Sequence, residues 1–219
     1  MNYILCIESS GINCSVAVAK NGKLLGELSE NTGNFTHAEK LHVFIEQLLS
    51  DLQLSHKELS AVAVSAGPGS YTGLRIGVAS AKGICYALDI PLIAIPTLTI
   101  VSQQTENEII IPMLDARRME VYSAVYDHSH QLLEATKAVI LDENSYAEWF
   151  KKNQKITFIG DGAAKFAKIC PHPNAVFIPD AYPQARDMAA LAYTSYLQND
   201  FADIAYFEPD YLKPFHTGK

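Results

Sequence analysis

The chain has 219 residues, 48% of them hydrophobic and 19% charged, with a formal net charge of −7. That length suits one large domain or two small ones, since a domain commonly takes ~100–200 residues, and the supply of apolar residues excludes a disordered chain. The acidic excess argues against unaided binding to a phosphate backbone, which draws its affinity from lysine and arginine, so a nucleic-acid role would run through another protein.

Met1 to Ser10 holds a short apolar run with no basic lead-in and no small-residue cleavage site, so it reads as a strand and not as a secretory signal. No stretch is long enough to span a bilayer. Tyr3 to Glu8, Ser15 to Lys20 and Lys23 to Ser29 read as three strands, with turns at Ser10-Gly11 and Asn21-Gly22. Thr36 and Glu39 stand at capping-box spacing and open a helix running to about Leu54. Leu59 to Ser65 alternates as a strand, and a glycine-rich segment, Gly67 to Gly73, leads into a helix ending near Leu88. A short strand, Leu92 to Ile95, and a helix near Leu98 to Gln104 follow.

From Ile109 the same order returns: strands near Ile109 to Leu114, Glu120 to Tyr126 and Gln131 to Ile140, a helix from Asn144 to Lys152, and a strand from Ile156 to Gly160. Helices at Ala163 to Ile169 and Arg186 to Leu197 complete the chain. The reading is an α/β protein of two lobes, each of order βββαβα, with a boundary in the polar patch near Asn107, giving lobes of 1–107 and 108–219.

The stretch Gly67-Pro68-Gly69-Ser70-Tyr71-Thr72-Gly73-Leu74-Arg75-Ile76-Gly77 has two readings. A glycine-rich turn at a helix start can cradle phosphate on unpaired amides. Yet no Lys-Ser or Lys-Thr follows, and the third glycine comes one residue late for a dinucleotide fingerprint. Close packing of a strand-to-helix connection is the simpler reading. Along the helix that follows, Gly73, Gly77, Ser80, Gly83 and Ala87 cluster on one side, while Arg75 and Lys82 share a narrow arc. In the preceding helix Leu41, Phe44, Ile45, Leu48, Leu49 and Leu52 cover ~160°, wider than a minimal core-facing stripe. Surplus apolar surface on two consecutive helices points to a partner, with packing of the two helices on each other and on the sheet as the alternative.

The remaining polar clusters have bland readings. His37 and His42 lie five apart, not at the four-residue spacing of a helical zinc pair. Asp127, His128 and His130 form a solvated turn. Asp115-Ala116-Arg117-Arg118 closes a buried strand at a polar hairpin tip that can also face a ligand. No nucleophile elbow is present, and Cys6, Cys14, Cys85 and Cys170 lack a CxxC pair, which suits idle, reduced thiols of a cytoplasmic protein.

YILCIESSGINCSVAV, THAEKL, GPGSYTGLRIG, PMLDARRMEVY and PDYLK occur in that order, and together they resemble the TsaB family (YeaZ-like), with the glycine-rich segment the most specific of them. The resemblance implies an ASKHA fold of two ribonuclease-H-like lobes and a role in threonylcarbamoyladenosine modification of tRNA. It implies a scaffold without catalytic residues, paired with the catalytic paralogue TsaD and the ATPase TsaE, with tRNA met only through the complex. The implied pairing surface is the first two helices, carried here on Leu41, Phe44, Leu48, Tyr71, Gly73, Ile76, Gly77, Ser80, Gly83 and Ala87. The same helices imply a homodimer when the partner is absent.

Active ASKHA proteins place an aspartate at the end of strand one, where Glu8 stands here, and a second glycine-containing hairpin where this chain has Asp115 to Arg118. The isolated chain is therefore expected to bind no cofactor and no metal, with ATP or ADP met only inside the complex, at Glu8, Ser9, Ser10 and Gly160. Two competing readings are an ATP-dependent phosphotransferase, which needs two intact phosphate hairpins, and a glycoprotease-like hydrolase, which needs a nucleophile or metal centre.

Overall fold

The computed structural model describes residues 1–31, 37–151 and 154–213. The expected capping box at Thr36 falls outside the described residues, as does the His37 side chain. The chain divides into two compact units, Met1–Thr97 with Pro183–Lys219, and Leu98–Tyr182.

The first unit is built on β1 (Tyr3–Glu8), β2 (Cys14–Lys20), β3 (Lys23–Glu30), β4 (Leu59–Ser65) and β5 (Leu92–Ile95), in the order β3-β2-β1-β4-β5. The first three strands run antiparallel, while β4 lies parallel to β1 and β5 parallel to β4. Strand alternation splits the sheet into two faces. Leu5, Ile7, Val16, Val18, Val62 and Val64 share a core with α1 (His37–Asp51) and α2 (Tyr71–Leu88). The other face presents small residues, among them Ala17, Ala19, Ala61 and Ala63, all fully buried.

That small face is covered by the C-terminal segment. A 3-10 turn (Ala185–Met188) and a helix (Ala189–Gln198), numbered α6 in chain order, bury Ala185, Met188, Ala189 and Ala192. Alanine on alanine lets helix and sheet approach closely. Asn13 Nδ2 donates to the Pro183 carbonyl at 3.2 Å, and the Ala185 N–H donates to Ser15 Oγ at 3.0 Å. The chain then bridges β5, with the Ala202 N–H donating to the Leu92 carbonyl at 2.8 Å. The boundary expected near Asn107, with everything beyond it in a second lobe, is thus corrected: the break follows Thr97, and residues from Pro183 rejoin the first unit.

The second unit repeats the sheet. β6 (Ile109–Asp115), β7 (Glu120–Asp127), β8 (Leu132–Ile140), β9 (Ile156–Ile159) and β10 (Ala175–Ile178) run in the order β8-β7-β6-β9-β10, the same arrangement as in the first unit. Two mixed sheets of one topology bear out the expected α/β fold with ribonuclease-H-like lobes. β10 was not anticipated: four residues, AVFI, between turn residues carry too little periodicity to be told from a loop. The helices are shorter than the sequence suggests. α3 is Thr97–Ser102, α4 (Ala147–Phe150) replaces the expected Asn144 to Lys152, and α5 spans Ala163–Ala167. The core of this unit is aromatic, with Phe158 against Phe166 at 4.8 Å and stacked on Phe177 at 5.3 Å.

Candidate functional site: the glycine-rich turn and the outer face of α2

The glycines of the turn are packed against the chain itself. Gly67 has φ +107, and a side chain there would stand 2.6 Å from the Asp210 carbonyl; at Gly69 it would stand 2.5 Å from the Ser10 carbonyl. At Gly77 it would collide with Ser9 Oγ, which donates to the Gly73 carbonyl at 2.9 Å. Ser70 caps α2, accepting from the Gly73 N–H at 3.3 Å, while its own N–H donates to the Ser10 carbonyl at 2.6 Å. The tail closes over the loop: the Asp210 N–H donates to the Ala66 carbonyl at 2.7 Å, and Tyr211 packs on Tyr71 at 4.8 Å. Of the two readings of this segment, close packing accounts for each of these glycines.

Glu8, Ser9 and Ser10 meet in the first unit, at the end of β1, all buried. Glu8 Oε1 accepts from the Ser10 N–H at 2.6 Å and the Ser10 hydroxyl at 2.5 Å, while Oε2 is buried without a partner. Burial pushes this carboxyl up from 4.5 to about 7, with the Ser10 bonds and the Ser65 hydroxyl opposing it and Asp187 adding to it. A carboxylate turned inward and tied to its own loop presents no anionic edge. Gly160 belongs to the other unit, where its positive φ of +118 serves close approach to the Met113 carbonyl.

The partner-face residues separate on inspection. Leu41 and Leu48 are buried in the core of the first unit, where Leu48 and Leu52 would stand 3.1 Å from a side chain placed at Gly26; Phe44 is half-buried against the same core. The wide apolar arc of α1 is therefore absorbed by β2, β3 and α2, correcting the expectation that it leaves a surplus, and Val43 alone of its large apolar residues is exposed, at 56%. Gly73 and Gly77 are likewise buried, Gly77 against Ser9 and Ile7 and Gly73 with its carbonyl accepting from Ser9. Ser80 is half-buried and bonded to His42 Nε2 at 3.1 Å, joining α2 to α1, and Tyr71 and Ile76 are half-buried.

What α2 leaves exposed is the arc centred on Arg75: Thr72, Ala79, Gly83, Tyr86 and Ala87. A side chain at Gly83 would meet nothing within 4 Å, and Tyr86 beside it is 84% exposed. An open groove borders this stripe, lined by Lys82, Gly83, Tyr86 and Ile204. Sequence reasoning missed Ala79 and Tyr86. The signal was available, because Arg75 and Lys82 mark the solvent arc and both residues fall within ~60° of it at ~100° per residue.

In the second unit, Asp115 Oδ1 accepts from Lys165 Nζ at 2.6 Å and from the Arg117 N–H at 2.6 Å, and Asp161 accepts from the Asp115 N–H at 2.8 Å. Burial raises the Asp161 carboxyl above its ordinary range. Asp127 organises its own turn, accepting from the Ser129 and Gln131 N–H groups. Among the described residues no three His, Cys, Asp or Glu side chains converge on a metal-sized site, and no helix is long and apolar enough to cross a membrane. All four cysteines are free and buried, with burial raising the Cys6 thiol to about 12 and Cys85 to about 11.

Residues 33–216 match the family model described as TsaD: tRNA N6-adenosine threonylcarbamoyltransferase. The tRNA threonylcarbamoyladenosine biosynthesis protein TsaB of Bacillus subtilis is 29% identical, over 96% of this chain and 93% of its own length. The protein of that name from Buchnera aphidicola (Schizaphis graminum) is 30% identical, over 88% and 94%. The YeaZ structure from Pseudomonas aeruginosa superposes with a TM-score of 0.84 at 26% identity, covering 97% of this chain and 100% of that one.

Proposed function

The chain belongs to the TsaB family, within the group that the TsaD model describes, and on that premise we propose that it is a non-catalytic scaffold which binds a TsaD-type threonylcarbamoyltransferase and, with the ATPase TsaE, holds it active. Its process is tRNA threonylcarbamoyladenosine biosynthesis, the one named for its relatives. The cytoplasm is the compartment in which such a subunit works.

The observation that carries the reading is the outer face of α2. Ala79, Gly83 and Ala87 recur every four residues on the exposed side, so another helix can approach the backbone there. Tyr86 adds a rigid, amphipathic anchor of the type enriched at interface hot spots. Within this proposal the surface is Ala79, Gly83, Tyr86 and Ala87 with the half-buried Ile76 and Ser80. Leu41, Leu48, Gly73 and Gly77 hold the face in shape from behind. A second copy can use the same stripe when the partner is absent.

The chemistry of the turn supports an accessory role. At Gly67 and Gly69 the space a side chain would take is already filled by the Asp210 and Ser10 carbonyls, and Glu8 is closed on Ser10. The isolated chain is proposed to bind neither ATP nor ADP, nucleotide being met only in the complex; calorimetry with ATP tests this, and tight binding by the chain alone overturns it.

Gly83→Leu tests the surface. Nothing lies within 4 Å of a Cβ placed at this exposed position, so the variant should fold, and its heterodimer with the TsaD protein of the same organism should be lost in size-exclusion chromatography. A folded Gly83→Leu chain that pairs as well as the parent refutes the placement, and a parent chain that forms no heterodimer refutes the scaffold role.

A further inference from the structure

The hairpin tip between β6 and β7 adopts a backbone its residues do not favour. Arg117 and Arg118 are both left-handed, with φ 69 and 50, in a turn where Asn-Gly would be relaxed. Each such residue costs roughly 1 kcal/mol or more in a side-chain-bearing amino acid. The tip is braced around them. The Ala116 N–H donates to the Glu120 carbonyl at 3.0 Å, the Glu120 N–H to the Arg117 carbonyl at 3.1 Å, and the Leu141 N–H to the Met119 carbonyl at 2.7 Å. Lys165 bonds both Asp115 and the Glu120 carbonyl, so the nearest carboxylate is already engaged. Both arginines are exposed, and neither guanidinium forms an ion pair among the described residues.

A chain of net charge −7 therefore keeps two adjacent, unpaired guanidinium groups on a rigid tip at the expense of backbone strain. Opposite charge is the ligand chemistry this selects. The Ala116, Arg117 and Glu120 amides are engaged, which leaves at most the Arg118 and Met119 N–H groups for an anion, fewer than the run of successive amides that cradles a small phosphate. Its offer is two planar forks on an exposed turn, which suits successive phosphates of an extended polyanion.

We infer that Arg117 and Arg118 contact the phosphodiester backbone of RNA. Given the proposed function, on which this inference rests, that RNA is the tRNA being modified. Useful affinity arises only inside the complex, because two charges on an acidic chain hold RNA too weakly alone, in a contact visible only at low salt.

The test uses the chain assembled with the TsaD and TsaE proteins of the same organism and a tRNA transcript, followed by fluorescence anisotropy across a salt series. Two variants are compared, Arg117→Ala/Arg118→Ala and Arg117→Asn/Arg118→Gly; the second relaxes the turn while removing both charges. Both should assemble normally, weaken tRNA binding about tenfold at low salt, and flatten the dependence of log Kd on log salt by ~1–2. The Asn-Gly variant should also melt at a higher temperature than the parent, an opposite movement that a purely structural role for the arginines does not produce. Unchanged tRNA affinity in intact complexes overturns the inference. So does loss of assembly in folded variants, which would place an acidic protein surface at the tip, and so does competition by millimolar inorganic phosphate or ATP, which would make it a small-anion site. Should the parent chain form no complex, the proposed function fails by itself. Arginine Nε NMR shifts on titrating single-stranded RNA into the isolated chain at low salt then decide: shifts at both residues support the contact, and their absence overturns it.

Discussion

Replacing Glu8 by glutamine should make the protein's stability less dependent on pH. The carboxyl sits at the end of β1, fully buried, with Oε1 accepting twice from Ser10 and Oε2 without a partner. Its folded value is pushed to about 7 against 4.5 for the free side chain. Below pH 4.5 the group is protonated in both folded and unfolded chains and contributes no pH dependence. As pH rises from there to about 7, the unfolded chain ionises while the folded one holds its proton, so stability declines by up to ~1.4 kcal/mol per pH unit. Above about 7 both forms are ionised and a penalty of ~3 kcal/mol remains constant.

Glutamine keeps an oxygen for the two Ser10 bonds and replaces the orphan oxygen by an amide donor, fixing the neutral state. The measurement is urea unfolding of the parent and Glu8→Gln at pH 5, 6, 7 and 8. The variant's advantage should grow by a few kcal/mol, ~3 at most, between pH 5 and 8, whatever constant offset the substitution brings. Equal differences at all four values would show that Glu8 ionises as freely in the fold as outside it, and the account of a closed, proton-holding strand end would be wrong.

Gly77→Ala should destabilise the chain by ~2 kcal/mol, since the new methyl displaces Ser9 from the Gly73 carbonyl; Gly83→Ala, on the open side of the same helix, should stabilise it by ~1 kcal/mol. Thermal melts of the pair read the two faces of α2 directly, and equal effects would contradict them. Gly67→Ala combines a forbidden φ with a collision at Asp210, so it should release the tail, seen as faster amide exchange from Asp210 to Lys213. Truncation before Pro183 removes the helix covering the alanine face of the first sheet, and the remaining chain should bind the dye ANS and lose cooperative unfolding; a sharp transition would refute that assignment. Cys6 and Cys85, buried with thiols held high, should react with DTNB only upon unfolding, at a rate that follows denaturant concentration.

Local patterns were legible wherever a segment's neighbours are its own. The meander β1-β2-β3 follows from alternation and the Asn21-Gly22 turn, and α2 from its glycine-rich lead-in and long periodic run. The strand, helix, strand order repeated in both halves was enough to indicate the paired lobes, and the motif order was enough to indicate the family. Periodicity could also rank residues around each helix, because the angle between side chains is set by backbone geometry alone.

Which side of a ranked helix faces its own sheet is a different kind of fact. Gly77 and Gly83 stand at the two edges of the small-residue side of α2, yet one lies against Ser9 and the other against open space, a difference that side-chain size alone does not reveal. The same holds for the alanines of the final helix, which suit either lobe by composition and rejoin the first because its sheet presents a matching small face. Sequence determined the elements, since these depend on bonds and side chains a few residues apart. The tertiary structure decided which surfaces are consumed and which remain, since burial is settled by residues that meet from far apart along the chain.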